Sequence, residues 1–579
     1  MCAKAIMNPA EKASAEAFSK VCESIDERKS FILEAGAGAG KTYTLVQALR
    51  YLISKDGERL LRNNQRVACI TYTNVAKDEI ITRIDNHPSV QTDTIHSFCW
   101  SLMKDYQPAL REELSNLEKW PERLEEAGSI EEKKVVYDLG YPGISDTELL
   151  LHHDDVLSLM VRLLERPKFQ MLFISRYPVL FIDEYQDTNK DFMAALTQHI
   201  LTPGRTQLIG CFGDSWQQIY EDGCGSIESE AMTRIGLQSN FRSVKEIVEP
   251  LNRIRIDLPQ EVKDPEAEGH VAVFHTNSWA GERRKGVHWK GDLPTEAAHN
   301  CLKTVKSMLV DEGWDFDPEK TKILMLTHTV LAQEQGYSAL MAIYSKRRDA
   351  LIKKEDTLIE FFLDKLEPAC FAYSQKQYGE MLSVLGLRSP ALASKKDKVG
   401  WKKDMDALLK LRASGTVGEV LDHLKKTKRP RLPEKVALRE KELAEQWQEP
   451  SEEEPSYISR LRKLREMAYE EISALDLFID EMTPFSTKHG VKGAEFENVL
   501  VIFGRGWNHY NFGQYLEWSG NGVPVGKEDT FERNRNLFYV ACSRPEKRLG
   551  MLFTQELSKE ALRTLAAWYG DEAISALSF

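Results

Sequence analysis

Two stretches of the chain hold residue types that together can handle a phosphate. In Phe31 to Thr44 (FILEAGAGAGKTYT), Gly36, Ala37, Gly38, Ala39 and Gly40 make a small-residue turn. It lies between a short apolar run and a helical repeat of Leu45, Ala48, Leu49 and Leu52. Such a turn lets backbone N–H groups curl around an anion, and the N-terminus of the next helix adds partial positive charge. Lys41 would reach the β- and γ-phosphates of a nucleotide, and the Thr42 hydroxyl would ligate Mg²⁺. The strict spacing asks for glycine at position 35, where alanine stands, and an ordinary glycine-rich loop reads the same way out of context. The second stretch is Val179-Leu-Phe-Ile182 followed by Asp183-Glu184, two carboxylates at the C-terminal end of an apolar strand, where open α/β sheets bind ligands. Asp183 could hold Mg²⁺ directly or through water, and Glu184 could orient and deprotonate an attacking water. Alone, the pair fits a solvated turn or a helix cap equally well.

The elements that must position these residues come from the rest of the chain. With 579 residues it is too long for one core, so two to four domains are expected. Hydrophobic content of 42% and charged content of 29% suit a globular protein. No apolar run approaches membrane-spanning length and the N-terminus lacks a secretory core, so no membrane partner and a cytoplasmic location are expected. The nine cysteines form no C-x-x-C pair, which argues against structural zinc. A net charge of −12 gives no global attraction to nucleic acid, so any such contact must come from a local groove.

Strand-like runs at Arg66–Thr73, Tyr177–Asp183 and Thr206–Gly213 alternate with helical text, which predicts a parallel α/β sheet covered on both faces. Residues 105–153 read as a small helical insertion. A second α/β unit starts at His270, includes Lys322–Thr327, and resumes with Val499–Phe503 and Leu549–Phe553. Between its halves, residues 331–478 are lysine- and glutamate-rich helical text, with basic runs at Lys395–Lys398, Trp401–Lys403 and His423–Arg429. These runs suit either a face for duplex or partner or a solvated surface.

Seven further segments resemble, in order, the motifs of the UvrD/Rep/PcrA group of superfamily 1A DNA helicases. Asp183-Glu-Tyr-Gln-Asp-Thr188 is similar to that group's Walker B segment, and Gly213-Asp-Ser-Trp-Gln-Gln-Ile-Tyr220 to its third motif, with Gln217 as γ-phosphate sensor. Asn240-Phe-Arg-Ser243 resembles the fourth, with Arg242 in an arginine-finger position. Thr487-Lys-His-Gly-Val-Lys-Gly-Ala-Glu-Phe496 resembles the fifth, which implies Glu495 near the ribose and Thr487 and His489 near DNA. Arg535 and Tyr539-Val-Ala-Cys-Ser-Arg544 resemble the sixth, with Arg544 as second finger. Thr71-Tyr-Thr-Asn74 and Thr94-Ile-His-Ser97 resemble the early DNA-contacting motifs, implying Tyr72, Thr73, Asn74 and His96, with Tyr220 further on, as DNA-facing.

The resemblance implies an α/β fold of two RecA-like P-loop NTPase domains, each with a largely helical insertion. The first would span 1–104 plus 154–262 with insertion 105–153, the second 263–330 plus 479–579 with insertion 331–478. It implies ATP and Mg²⁺ as cofactors and single-stranded or tailed DNA as partner. Phosphoryl transfer needs in-line water and positive charge on the γ-phosphate, and Arg242 and Arg544 would complete that charge when the second domain closes. The implied activity is ATP-driven 3′-to-5′ translocation or unwinding. Three departures matter. The family's aromatic-Arg-Gly base-stacking segment is replaced by Glu221-Asp-Gly-Cys-Gly225, leaving Trp216 as a guessed substitute. Glu11 stands where the family reads adenine with glutamine, and Tyr43 replaces an arginine opposite Phe241, so the base would sit in an aromatic sandwich. The chain also resembles the compact UvrD-like helicase subunit of the Gabija anti-phage system, which works with a separate nuclease. This implies the alternative of a DNA-stimulated ATPase switch that senses DNA ends or single strands and regulates a partner nuclease.

Overall fold

The computed structural model describes residues 7–578 apart from 118–119, 128–129, 138–142, 203–206, 219–221, 287–288, 326–331, 333, 346–350, 352–353, 387–393, 452, 480–484, 488–494 and 505–509. The first strands in chain order are β1 (Phe31–Ala35), β2 (Val67–Thr71) and β3 (Val90–Thr94). After β4 (Lys134–Tyr137), β5 (Gly143–Ile144) and β6 (Glu148–Leu151) come β7 (Val179–Asp183), β8 (Leu208–Gly213) and β9 (Thr233–Leu237). They build a six-stranded, all-parallel sheet in the order β3-β2-β7-β8-β1-β9. Alternate residues of β1 enter different cores: Phe31 and Leu33 pack with Leu45, Leu49 and Phe212, while Ile32 packs with Ile70, Phe98 and Ile182. Both faces are therefore covered, which is why these strands read as continuous apolar runs.

After one short parallel pair, β10 (Ser239–Asn240) with β11 (Glu261–Val262), the second sheet begins. Its strands are β12 (His270–His275), β13 (Thr321–Met325), β14 (Phe485–Thr487), β15 (Phe496–Phe503), β16 (Pro545–Phe553) and β17 (Ile574–Ala576). It is again six-stranded and parallel, ordered β14-β13-β15-β16-β12-β17. In β15, Val499, Val501 and Phe503 face one core, and Leu500 and Ile502 the other. The described residues of 331–478 are helical around a core of their own that includes Tyr337, Phe362, Met405, Leu421, Ile458 and Leu475. Part of its basic text is spent internally, since Arg429 pairs with Asp404 at 3.0 Å. No described helix is long and apolar enough to cross a membrane.

The structure differs from the sequence reading in two places. Residues 105–153, expected to be helical, carry a three-stranded sheet ordered β4-β6-β5 beside two short helices. These strands are two to four residues long and bury only Val135, Leu149 and Leu151, too few positions for an alternation to show in charged text. The edge strands β9 and β17 also went unread, because an edge strand buries little: β9 buries Ile235 and Leu237 alone.

At the centre of the first sheet, a Cβ on Gly210 would lie 2.7 Å from Phe31 Cζ and 2.8 Å from Phe181 Cδ1. Gly210→Ala is therefore expected to destabilise the chain by about 1–3 kcal/mol through overpacking. A lowered midpoint in thermal or denaturant unfolding checks this, and an unchanged midpoint contradicts it.

Candidate nucleotide and DNA site

The turn after β1 is braced from its carbonyl side. Ala37 O accepts from Asn240 Nδ2 and Gln260 Nε2, both at 3.1 Å, Gly38 O from Phe241 N at 2.8 Å, and Ala39 O from Ser239 Oγ at 2.8 Å. Gly38 and Gly40 hold φ of +71° and +84°, a region that side chains rarely adopt. A Cβ on Gly36 would meet Gln260 at 2.7 Å. With its carbonyls committed to this bracket, the turn runs directly into the helix Lys41–Arg62 and offers its end to an anion.

Lys41 Nζ forms ion pairs with Glu184 Oε1 and, at 3.5 Å, with Asp183 Oδ1. Burial alone would lower the lysine pKa, but the two carboxylates outweigh it and raise it, so Lys41 stays charged. The Asp183 pKa is raised, by burial first, with Lys41 opposing. Glu184 sits at φ +51°, a strained left-handed turn where the strand ends. Asp183 Oδ1 is buried and has no hydrogen-bond donor. A carboxylate oxygen met by a lysine at 3.5 Å but by no hydrogen bond, with the Thr42 hydroxyl at the start of the neighbouring helix, suits a hard divalent cation. Among the described residues no three His, Cys, Asp or Glu side chains converge on a metal position. A cation here would thus need phosphate oxygens and water to complete its shell.

Two arginines lie where the two sheets meet. Arg544, at the end of the helix Glu528–Cys542, is buried and donates from a terminal guanidinium nitrogen to Gln217 Oε1 at 2.8 Å. Burial, then the nearby Arg242, push its pKa down to about 9. Arg242 belongs to the segment that braces the turn and reaches across to Glu495 Oε1 at 2.9 Å and Ser543 O at 3.1 Å. Only Arg544 is therefore carried by the second sheet. Glu495, implied near a ribose, is held by Arg242.

Beside the turn a cavity of about 820 Å³ is lined by Met7, Glu11, Phe18, Tyr43 and Phe241 among others. Tyr43 is 57% and Phe241 37% exposed, leaving both rings open to a planar base. Glu11 lines the cavity while its Oε2 accepts from Asn8 N at 3.0 Å, completing a capping box at the start of the helix Pro9–Asp26.

The residues implied to face DNA divide. Tyr72 is exposed, Thr73 caps the next helix through Ala76 N at 3.2 Å, and Asn74 opens that helix. His96 is half-buried and stacks on His153 with centroids 3.4 Å apart; burial, then His153, push its pKa down to about 4. Thr487 ends β14, paired with Met325, and its side chain lies outside the described residues, as do Tyr220 and His489. Trp216, the guessed stacker, is instead engaged between the sheets: Arg535 lies 4.2 Å and Arg255 5.1 Å from its ring centroid, and Tyr539 packs edge-on. Sequence reading missed Glu34, Asp214 and Arg255, which form a buried charge cluster behind the turn. One signal was available, a glutamate inside the otherwise apolar run FILEA.

Residues 19–222 match the family model of an AAA domain, and residues 324–556 match that of the UvrD-like helicase C-terminal domain. Together these matches support a UvrD-type helicase. Its sheets are accordingly the two RecA-like P-loop folds of UvrD-like helicases, which hydrolyse ATP. Gabija protein GajB of Bacillus cereus (strain HuB5-5) is 24% identical, over 95% of this chain and 96% of the relative. The ATP-dependent DNA helicases PcrA of Staphylococcus epidermidis and Staphylococcus aureus are 26% and 25% identical, over 38% of this chain and 37% of theirs.

If Lys41 and Glu184 act on a bound triphosphate, two substitutions should separate binding from hydrolysis. Glu184→Gln is expected to lower the turnover of ATP by about 10²–10⁴-fold, the range for a general base, while nucleotide still binds. Lys41→Ala is expected to lose binding and turnover together. Fluorescent-nucleotide titration beside steady-state hydrolysis reads both.

Proposed function

We propose that this chain hydrolyses ATP between its two sheets and uses the resulting opening and closing to move 3′-to-5′ along single-stranded DNA. One observation carries the reading: Arg544, between the helix Glu528–Cys542 and β16 of the second sheet, meets Gln217 of the first at 2.8 Å, beside the lysine and carboxylates that follow β1 and end β7. A triphosphate bound by the turn would draw Lys41 from Glu184 and Arg544 from Gln217, exchanging protein partners for phosphate oxygens. Glu184, released, would act as base toward the attacking water, and Arg242 and Arg544 would balance charge on the transferred group. Mg²⁺, held by Asp183 and Thr42, would neutralise phosphate charge. Because Arg544 and Arg242 span the two sheets, hydrolysis would loosen the junction between them. Tyr43 and Phe241 would sandwich the base, and Tyr72, Thr73, Asn74, His96, Tyr220, Thr487 and His489 would form the strand's path.

A second reading is a DNA-stimulated ATPase that switches a partner nuclease in anti-phage defence without processive unwinding. It is supported by similarity to a Gabija protein across nearly the whole chain, against little more than a third for PcrA. It is also supported by Glu221-Asp-Gly-Cys-Gly225 in place of a stacking segment.

ATP hydrolysis with and without single-stranded DNA, beside strand displacement on 3′- and 5′-tailed duplexes, separates the two. DNA-stimulated hydrolysis with displacement of the 3′-tailed duplex alone supports the translocase. Stimulated hydrolysis without displacement supports the switch. Hydrolysis indifferent to DNA contradicts both.

A further inference from the structure

Behind the phosphate turn lies a buried chain of charges and amides, two of whose members, Arg255 and Asp214, the reading above does not use. Arg255 follows the helix Lys245–Ile254, with its side chain only 3% exposed. Its guanidinium donates to Asp214 Oδ1 at 2.5 Å and lies 3.8 Å from Glu34 Oε2. The opposite oxygen of the same carboxylate, Asp214 Oδ2, accepts from Gln217 Nε2 at 2.8 Å, and Gln217 Oε1 accepts from Arg544. The four side chains thus run from one arginine to another across the junction between the sheets. Asp214 is further fixed by its own N–H, which donates to Gln186 Oε1 at 3.0 Å, and Gln186 in turn donates to Glu184.

The chemistry of the chain is directional. A carboxylate only accepts, so Asp214 selects the NH₂ end of the Gln217 amide and turns its carbonyl toward Arg544. That holds only while Asp214 is satisfied by Arg255. With the Arg255 charge removed, Asp214 becomes an uncompensated buried anion, one side chain away from a buried arginine whose only side-chain acceptor among the described contacts is an amide oxygen. Arg544 would then pair with Asp214 rather than with a phosphate. Glu34 would lose a counter-charge as well; its pKa is already raised, by burial first and then by Asp214.

We infer that Arg255 is a positioning residue for hydrolysis: by neutralising Asp214 it sets the orientation of Gln217 and keeps Arg544 available to the γ-phosphate. The inference rests on the ATPase reading above. Arg255 touches neither the turn nor the base cavity, so its contribution falls on turnover rather than on nucleotide capture.

The test is steady-state hydrolysis by the full chain with saturating single-stranded DNA, comparing wild type, Arg255→Met, Arg255→Lys and the pair Arg255→Met/Asp214→Asn, each checked for a cooperative melt. Arg255→Met is expected to lower kcat by about tenfold or more with KM for ATP within about twofold, the signature of an interaction that matters only at the chemical step. Arg255→Lys keeps the charge and is expected to fall between. The double variant removes the uncompensated anion and is expected to regain most of the lost kcat, although it has lost two native groups. Should Arg255→Met fail to fold, the lysine variant and the double variant carry the same comparison. A loss confined to KM, an Arg255→Met enzyme equal to wild type, or a double variant no better than Arg255→Met overturns the inference while leaving the ATPase reading intact. A wild-type chain that never hydrolyses ATP overturns both.

Discussion

A lysine held in a nearly closed space must have its charge answered, and in this chain that requirement organises the site. Lys41 is pinned at the start of a helix by a turn whose own carbonyls are engaged, so it cannot swing out to solvent. It is answered by Glu184 and Asp183, which only a strand ending at that height can supply. Removing such a cation's partners costs several kcal/mol. The register of β7 in the sheet is thus tied to the depth of the phosphate turn, and the backbone leaves the strand through the left-handed Glu184.

The same economy extends to the junction between the sheets. Each cationic group that would face a phosphate is already occupied by a protein acceptor: Lys41 by Glu184, Arg544 by Gln217, Arg242 by Glu495 and Ser543 O. A buried charge left without such a partner would destabilise the fold. These substitutes are modest ligands, two carboxylates partly open to solvent, an amide and a backbone carbonyl, so a triphosphate can replace them without first breaking a fully buried ion pair. The Arg255–Asp214 pair is the contrasting case, sealed from solvent.

How legible this was depended on where each residue sits. The turn, Asp183 and Glu184 were readable because buried parallel strands write continuous apolar runs, and β1, β7 and β15 show them. Edge strands β9 and β17 and the short strands β4 to β6 were not readable, since few of their positions are buried. Ordered motifs pointed to Gln217, Arg242 and Arg544, and the structure brings all three to the junction. An indole reads alike whether it waits for a base or packs beside guanidinium groups, so the contacts of Trp216 with Arg535 and Arg255 were not legible. Arg255 could not have been found: an arginine after a helix is ordinarily a solvated end, and its role follows from Asp214, forty-one residues away in sequence.

The helical insertion leaves the second sheet through β13 and returns through β14, and those two strands are neighbours, paired from Ile323 with Phe485 to Met325 with Thr487. As the chain is synthesised, β12 and β13 emerge long before their central partners β15 and β16. Across so long an interval the entropy of bringing the ends together would oppose completion of the sheet. An insertion with its own core removes that obstacle, because once it has folded its entry and exit lie side by side and it behaves as a short connection. The sheet can then be finished as though the intervening residues were an ordinary crossover between parallel neighbours, and Arg544, which follows β15 in the chain, arrives after Ser239, Asn240 and Gln260 have braced the turn.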